Sequence, residues 1–216
     1  MKKSTTKILY WLLAAVILIG SFLFIMFASQ SGSSSTDTSV LTDSEWIKGN
    51  PDSEIVLLEY SDFQCPACQA REPLVKKIVD EFSAHIKFVY RQFPLRSIHA
   101  NAQLAAQASE AAGLQGKFWE MHGLIFEHQS DWSDLQGANT KNTFVGYAQE
   151  IGLDTDQFEA DLNSRAVKDA VEADYNAGLK AQVGGTPTFF LNGQEFNLSN
   201  YEQARETLRA AIEAGA

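Results

Sequence analysis

The sequence predicts an α/β domain that is preceded by one membrane-spanning helix. An uncharged apolar run near the N-terminus predicts the membrane-spanning helix. After it, strand and helix periodicities follow in the order β-α-β, a helical block, then β-β-α. Hydrophobic residues make up 45% of the 216 residues and aromatic residues 11%, which suits a packed core. The net charge of -10 argues against a nucleic-acid-binding surface.

The apolar run covers residues 8–28 and contains no charged side chain. At about 1.5 Å per residue it is long enough for a hydrocarbon core of about 30 Å. No small-x-small cleavage site follows it, which favours an uncleaved signal anchor over a cleaved leader. Lys2, Lys3 and Lys7 precede the run, so we expect a single-pass protein of the cell membrane with its N-terminus in the cytoplasm. The rest of the chain is then extracytoplasmic, where disulfides persist.

Three segments are expected along the chain. The lysines and the anchor occupy residues 1–28. Residues 29–44 are rich in serine, threonine and glycine and predict a flexible tether. Residues 45–216 form the globular domain, in which a helical insertion occupies about residues 97–183.

The periodicity of the domain gives its elements in order. Trp46 and Ile47 begin it, in a short strand or turn. Strands are predicted at residues 55–60, 86–93, 188–191 and 194–198, the last two joined by an Asn192-Gly193 turn. Helices are predicted at residues 68–82, 97–112, 117–127, 139–151 and 164–182. Two further helices are expected, one capped by Asp154 and a final one that begins with the capping box Ser199-x-x-Glu202.

Cys65 and Cys68, the chain's two cysteines, lie where the first long strand gives way to a helix. A bridge between them would close a very small loop and constrain the unfolded chain little, which favours a chemical role. A helix N-terminus lowers the pKa of a thiol, so Cys65 is the expected nucleophile and Cys68 the resolving thiol in thiol–disulfide exchange. Pro66 is tolerated in the first turn because an N–H there has no helical partner.

Zinc binding and an inert pair of buried cysteines are the other interpretations of this motif. A structural zinc site needs four ligands, and the chain has no second Cys-x-x-Cys. None of the histidines has the spacing of a zinc finger: His85, His99, His122 and His128. We therefore expect neither a metal nor a cofactor.

Four features give the chain a specific resemblance over about residues 50–214. They are the sequence Phe63-Gln64-Cys65-Pro66-Ala67-Cys68 after a core strand, Pro73 five residues after Cys68, Glu59 six residues before Cys65, and the Gly-Thr-Pro-Thr-Phe run at residues 185–189. With them the chain resembles thioredoxin-fold proteins, and among these the DsbA-like thiol–disulfide oxidoreductases. The resemblance implies a thioredoxin fold, with a central mixed sheet and a large helical insertion.

The resemblance also implies how a substrate is bound. Pro187 would follow a cis peptide bond and face the cysteines, and the backbone of Thr186 would pair with a substrate peptide by strand addition. A plain turn before a strand is the alternative. Pro66, Ala67 and Phe63 are expected to contact the substrate as well, although Phe63 also fits the core.

Glu59 is implied to be a buried acid beneath the cysteines that accepts a proton from Cys68 through a water molecule. An edge carboxylate that faces solvent is the other interpretation.

The expected function is the introduction of disulfide bonds into exported proteins by exchange through Cys65. The resemblance implies a membrane redox partner of the DsbB type or the vitamin K epoxide reductase type. Ala67 stands where strongly oxidising relatives carry histidine, which implies a potential less oxidising than the roughly -120 mV of DsbA. A reductase or isomerase of the same fold therefore stays open, as does a tethered peptide-binding or chaperone module.

Overall fold

The computed structural model describes residues 45–215. The predicted anchor and tether lie outside these residues. Within residues 45–215, no helix combines the length and the apolar character that a membrane span requires. The chain divides into residues 1–35 and 36–216, and every described residue belongs to the second unit.

A mixed sheet of five strands forms the centre of the domain, in the order β1-β3-β2-β4-β5. Only β2 and β3 run parallel among these neighbours, because a crossover helix joins them. The predicted mixed sheet is therefore confirmed. The strands are β1 (Trp46–Gly49), β2 (Val56–Ser61), β3 (Lys87–Gln92), β4 (Thr188–Leu191) and β5 (Gln194–Phe196).

Eight helices are described, and six of them lie between β3 and β4 as the predicted insertion. The short α4 was missed, since four residues carry no readable helical period. The helices are α1 (Pro66–Phe82), α2 (Ala102–Gly113), α3 (Phe118–Glu127), α4 (Gln129–Trp132), α5 (Ala138–Glu150), α6 (Thr155–Leu162), α7 (Arg165–Lys180) and α8 (Tyr201–Gly215).

Two predicted helix starts are wrong. Residues 97–101 are not in α2, because side chains before Cys65 accept from the backbone amides of Leu95 and Asn101 and hold this segment as a loop. The capping box at Ser199 does not form either. Asn200 caps α8 instead, since its Oδ1 accepts from the backbone N–H of Gln203 at 3.1 Å.

Two local predictions are confirmed. Asp154 caps α6 by accepting from the backbone N–H of Gln157 at 3.0 Å. Asn192 and Gly193 form the turn between β4 and β5 with φ values of 48° and 79°, the left-handed region in which asparagine and glycine are favoured.

The two faces of the sheet bury different side chains because strand residues alternate. Leu57 belongs to the core cluster that includes Cys68 and the buried residues of α1, whereas Tyr60 belongs to the cluster that includes residues from α7. On the α7 side the packing is close. A Cβ at Gly178 would lie 2.5 Å from a ring carbon of Phe93, so only glycine allows this approach.

Candidate active site

The first cysteine lies at the junction between β2 and α1. Cys65 is the N-cap residue of α1, and its carbonyl oxygen accepts from the backbone N–H groups of Cys68 and Gln69, both at 3.1 Å. Pro66 occupies the first turn, as expected. Both cysteines are free thiols in this structure, with Cys65 7% exposed and Cys68 1% exposed. Only Cys65 is thus placed to meet a partner.

The two thiols have opposite electrostatic environments. The pKa of Cys65 is lowered to about 5, first by a hydrogen bond with the Cys68 thiol and then by the Thr186 side chain and the backbone N–H groups of Cys68 and Ala67. Burial raises the pKa of Cys65, but these hydrogen bonds lower it by more. The pKa of Cys68 is raised far above that of an ordinary thiol, first by burial and then by its bond to Cys65. This asymmetry fits a nucleophile at Cys65 and a resolving thiol at Cys68.

The loop before β4 faces the first cysteine. The Thr186–Pro187 peptide bond is cis, as the resemblance implied, and the Cys65 thiol donates to the Thr186 carbonyl oxygen at 3.4 Å. Pro66 and Ala67 are exposed beside it. A groove of about 500 Å³ begins here, and its lining includes Arg71, Pro187, Phe196 and Leu198. The groove is large enough to hold part of a peptide.

Glu59 is buried within the central strand β2. It is 1% exposed, so the alternative of a solvent-facing carboxylate is wrong. In β2 it pairs with Tyr90 of β3 and Phe189 of β4, and its Oε2 has no hydrogen-bond partner among the described residues. Its pKa is raised to about 8, first by burial and then by Glu72. Glu59 and Cys68 each also raise the pKa of Tyr90, whose own burial is the largest cause of its shift.

Glu72 is a second acid near the core, half-buried, that the sequence did not single out. It follows Cys68 by four residues and precedes Val75 and Val79, so it lies on the buried stripe of α1. Burial raises its pKa to about 7. It lines a cavity of about 20 Å³, room for one water molecule, together with His122 and Lys48. The spacing from Cys68 was a readable signal for its position.

Phe63 does not lie on the substrate surface. It is 1% exposed and packs against Tyr90 and Phe126, with ring centroids 5.4 Å and 4.7 Å away. The prediction that it contacts the substrate is therefore wrong, and the core interpretation is correct. The sequence around Phe63 does not indicate whether its ring is buried or exposed. The ring is buried because Phe126 of the helical insertion packs against it.

Asp62 and His99 form a polar contact next to the site. Asp62 Oδ2 lies 2.7 Å from His99 Nδ1 and accepts from the backbone N–H of Leu95 at 2.8 Å, while Oδ1 accepts from that of Gln64 at 2.8 Å. Asp62 thereby ties the segment before Cys65 to the loop after β3. Nothing in the sequence pattern indicated this pair.

Comparison with known proteins gives a family and a fold. The model of the family described as Thioredoxin matches residues 41–214. Oxidised BdbD from Bacillus subtilis superposes with a TM-score of 0.68 at 24% identity, covering 78% of this chain and 93% of that one. The thiol-disulfide exchange protein alpha-DsbA2 from Wolbachia pipientis gives 0.65 at 19% identity, with 80% and 87% covered. At such identities these structures share the fold.

Similar sequences also occur within longer proteins. The Na(+)/H(+) antiporter NhaA 1 of Salinispora arenicola is 39% identical over 152 residues, which are 70% of this chain and 22% of that protein. NhaA of Herminiimonas arsenicoxydans is 30% identical over 219 residues, 99% of this chain and 33% of that protein. The chain thus spans between a fifth and a third of these relatives, and their ion transport is not carried over to it.

The titration of Cys65 can be measured in the reduced full-length protein. We expect the ultraviolet absorbance of the thiolate to rise with a midpoint near pH 5, because Cys65 is the low-pKa thiol. Cys65→Ser should abolish this transition. Cys68→Ala should move it to higher pH, since the Cys68 thiol makes the largest contribution. A wild-type midpoint near the ordinary thiol value of about 8.5 would contradict the assignment.

Replacing Glu59 should change both stability and exchange. The folded-state pKa of Glu59 is about 8 against a usual 4.5, so its ionisation weakens the fold as the pH rises through 8. Glu59→Gln should therefore gain stability over wild type between pH 4.5 and 8, by on the order of a few kcal/mol at the alkaline end. The rate at which Cys68 resolves a mixed disulfide should lose its increase with pH.

Denaturant unfolding and stopped-flow exchange over this pH range measure the two effects. Glu127→Gln, at an exposed glutamate, is the control and should change neither. Parallel stability curves for Glu59→Gln and wild type would show that Glu59 does not titrate in this range.

Proposed function

This chain belongs to the thioredoxin family, and from that premise we propose that it introduces disulfide bonds into exported proteins by exchange through Cys65. It is a thiol–disulfide oxidoreductase with the fold of DsbA-like proteins. The observation that carries the proposal is geometric. Cys65 caps α1 and meets the carbonyl oxygen of Thr186, while Cys68 is enclosed behind it.

The reaction begins from a Cys65–Cys68 disulfide. A substrate thiolate attacks the Cys65 sulfur, the bond between the two cysteines breaks, and Cys68 leaves and takes up a proton. Glu59, with a pKa of about 8, is protonated at neutral pH and supplies that proton through a water molecule. A second substrate thiolate then attacks the substrate sulfur of the mixed disulfide and releases Cys65 as a thiolate. The substrate gains a disulfide, and two electrons stay on the cysteine pair.

Substrate binding uses backbone more than side chains. The Thr186 carbonyl oxygen lies beside Cys65, so an extended peptide can pair with it while its cysteine reaches the sulfur. Pro66 and Ala67 form the exposed rim, and the groove beyond Pro187 accommodates the flanking residues. Such contacts suit a protein that acts on many different sequences.

The environment of Cys65 supports oxidation rather than reduction. A stabilised thiolate favours the reduced pair, which makes the oxidised pair a stronger oxidant. Ala67 lacks a charged side chain, but the Cys68 thiol and the first backbone amides of α1 still lower the pKa of Cys65. A disulfide reductase or isomerase of the same fold is the second candidate, because Ala67 gives a weaker oxidant than histidine would.

To form disulfides repeatedly, the protein must lie in an oxidising compartment and must be reoxidised after each reaction. The apolar residues 8–28 and the lysines before them support a membrane anchor with the domain outside the cytoplasm. The reduced pair then has to pass two electrons to another protein. A membrane quinone reductase of the DsbB or vitamin K epoxide reductase type would accept them and is the proposed partner.

The direction of electron flow can be read in cells. Acid quenching followed by alkylation should find Cys65 and Cys68 mainly disulfide-bonded, and loss of the quinone reductase should shift them to thiols. Cys68→Ser should accumulate mixed disulfides through Cys65 on non-reducing gels, and Cys65→Ser should not. A mainly reduced pair would favour a reductase, and the absence of mixed disulfides would exclude exchange through Cys65.

Membrane anchoring can be measured on the full chain. After alkaline carbonate extraction we expect the protein to stay in the membrane pellet at full length, because residues 8–28 are not cleaved. External protease should digest the domain in intact spheroplasts. A matched variant that carries a cleavable leader in place of residues 1–28 should be released. Release of the wild type would show that the segment is a leader, without affecting the redox assignment.

A further inference from the structure

The helical insertion holds the segment before Cys65 through a buried amide. Gln129, the first residue of α4, donates from Nε2 to the carbonyl oxygen of Phe63 at 2.7 Å and to that of Cys65 at 3.1 Å. It is only 6% exposed. Because both amide hydrogens bond to the backbone, the side chain is fixed relative to the residues on either side of Gln64.

A second amide braces the same segment. Gln64 Nε2 donates to the carbonyl oxygen of Ser133 at 2.7 Å, and Gln64 Oε1 accepts from the backbone N–H of Asn101 at 2.7 Å. Asn101 donates in turn to Ser133 at 3.0 Å. Residues 63–65 are thus tied to both the loop before α2 and the turn after α4.

The bonds of Gln129 act on the backbone that surrounds the thiolate. The carbonyl oxygen of Cys65 that Gln129 contacts also accepts from Cys68 and Gln69, so it closes the first turn of α1. The backbone N–H groups that stabilise the Cys65 thiolate belong to Ala67 and Cys68 in that same turn. Their direction depends on how this turn is held.

We propose that Gln129 is a positioning residue for Cys65: it fixes the backbone from Phe63 to Cys65 so that the first amides of α1 point at the Cys65 sulfur. The helical insertion would thereby set the redox balance of a cysteine pair that lies outside it. The inference rests on the proposed exchange through Cys65 and holds equally for an oxidase or a reductase.

Gln129→Met tests this role, because it keeps the length of the side chain and removes both donors. The reduced full-length protein is equilibrated in detergent with glutathione and glutathione disulfide. We expect the equilibrium constant for oxidation of glutathione to fall about tenfold, a potential about 30 mV more negative. The midpoint of the Cys65 thiolate titration should rise in parallel, since misdirected amides stabilise the thiolate less.

Gln107→Met is the matched control. Gln107 is also 6% exposed and also donates from Nε2 to a buried carbonyl oxygen, that of Leu162 at 2.6 Å. Among the described residues its side-chain hydrogen bonds are to Leu162 and Gln103, not to residues 62–68. Each variant loses two hydrogen bonds, because Gln107 Oε1 also accepts from Gln103 Nε2 at 3.1 Å, so the two should lose stability to a similar degree. Only Gln129→Met should change the potential and the titration midpoint.

Two results would overturn the proposal: a wild-type potential in Gln129→Met, or an equal shift in Gln107→Met. If Gln129→Met does not fold, Gln129→Asn serves in its place. It keeps an amide that is one methylene too short to bond both carbonyls, and it should give a smaller shift in the same direction. A wild-type protein that does not exchange with glutathione at all would instead refute the proposed function, which is seen before any variant is compared.

Discussion

The N-terminus of α1 is the constraint on which the rest of the site depends. A thiolate at Cys65 is stable only while the free amides of the first turn and the Cys68 thiol point at it. Four residues lead from β2 to the start of α1, and the loop at Thr186 reaches the same point from a distant part of the chain. The sheet, the helix and the loop are therefore arranged around one sulfur atom.

Acids occupy positions in β2 and α1 where apolar side chains would pack better. Glu59 is buried in β2 and Glu72 is half-buried in α1, and burial raises the pKa of the first to about 8 and that of the second to about 7. Such groups weaken a fold, since an ionised carboxylate is poorly solvated inside a protein. Their raised pKa values let them exchange protons near neutral pH, which is the property that a resolving thiol needs from its neighbours.

Much of the fold was predictable because its signals are local. The buried strand before Cys65, the amphipathic helices and the Asn192-Gly193 turn all follow from periods and turn chemistry within a few residues. The sequence-based predictions were wrong where two residues could fill the same structural role, or where a side chain suited both the core and the surface. Asn200 displaced Ser199 as the cap of α8, and the helical insertion buried Phe63, which the sequence placed equally well at the surface.

By itself the sequence determined the order of the elements and the position of the redox pair at a helix start, because helix-end electrostatics act within one turn. The tertiary structure decided which distant side chains complete the site. Asp62 contacts His99, which is 37 residues away in the sequence, and Gln129 donates to the carbonyl oxygen of Cys65, which is 64 residues away. No local pattern encodes such contacts, since they depend on the path of the whole chain and on which polar groups burial leaves in need of a partner.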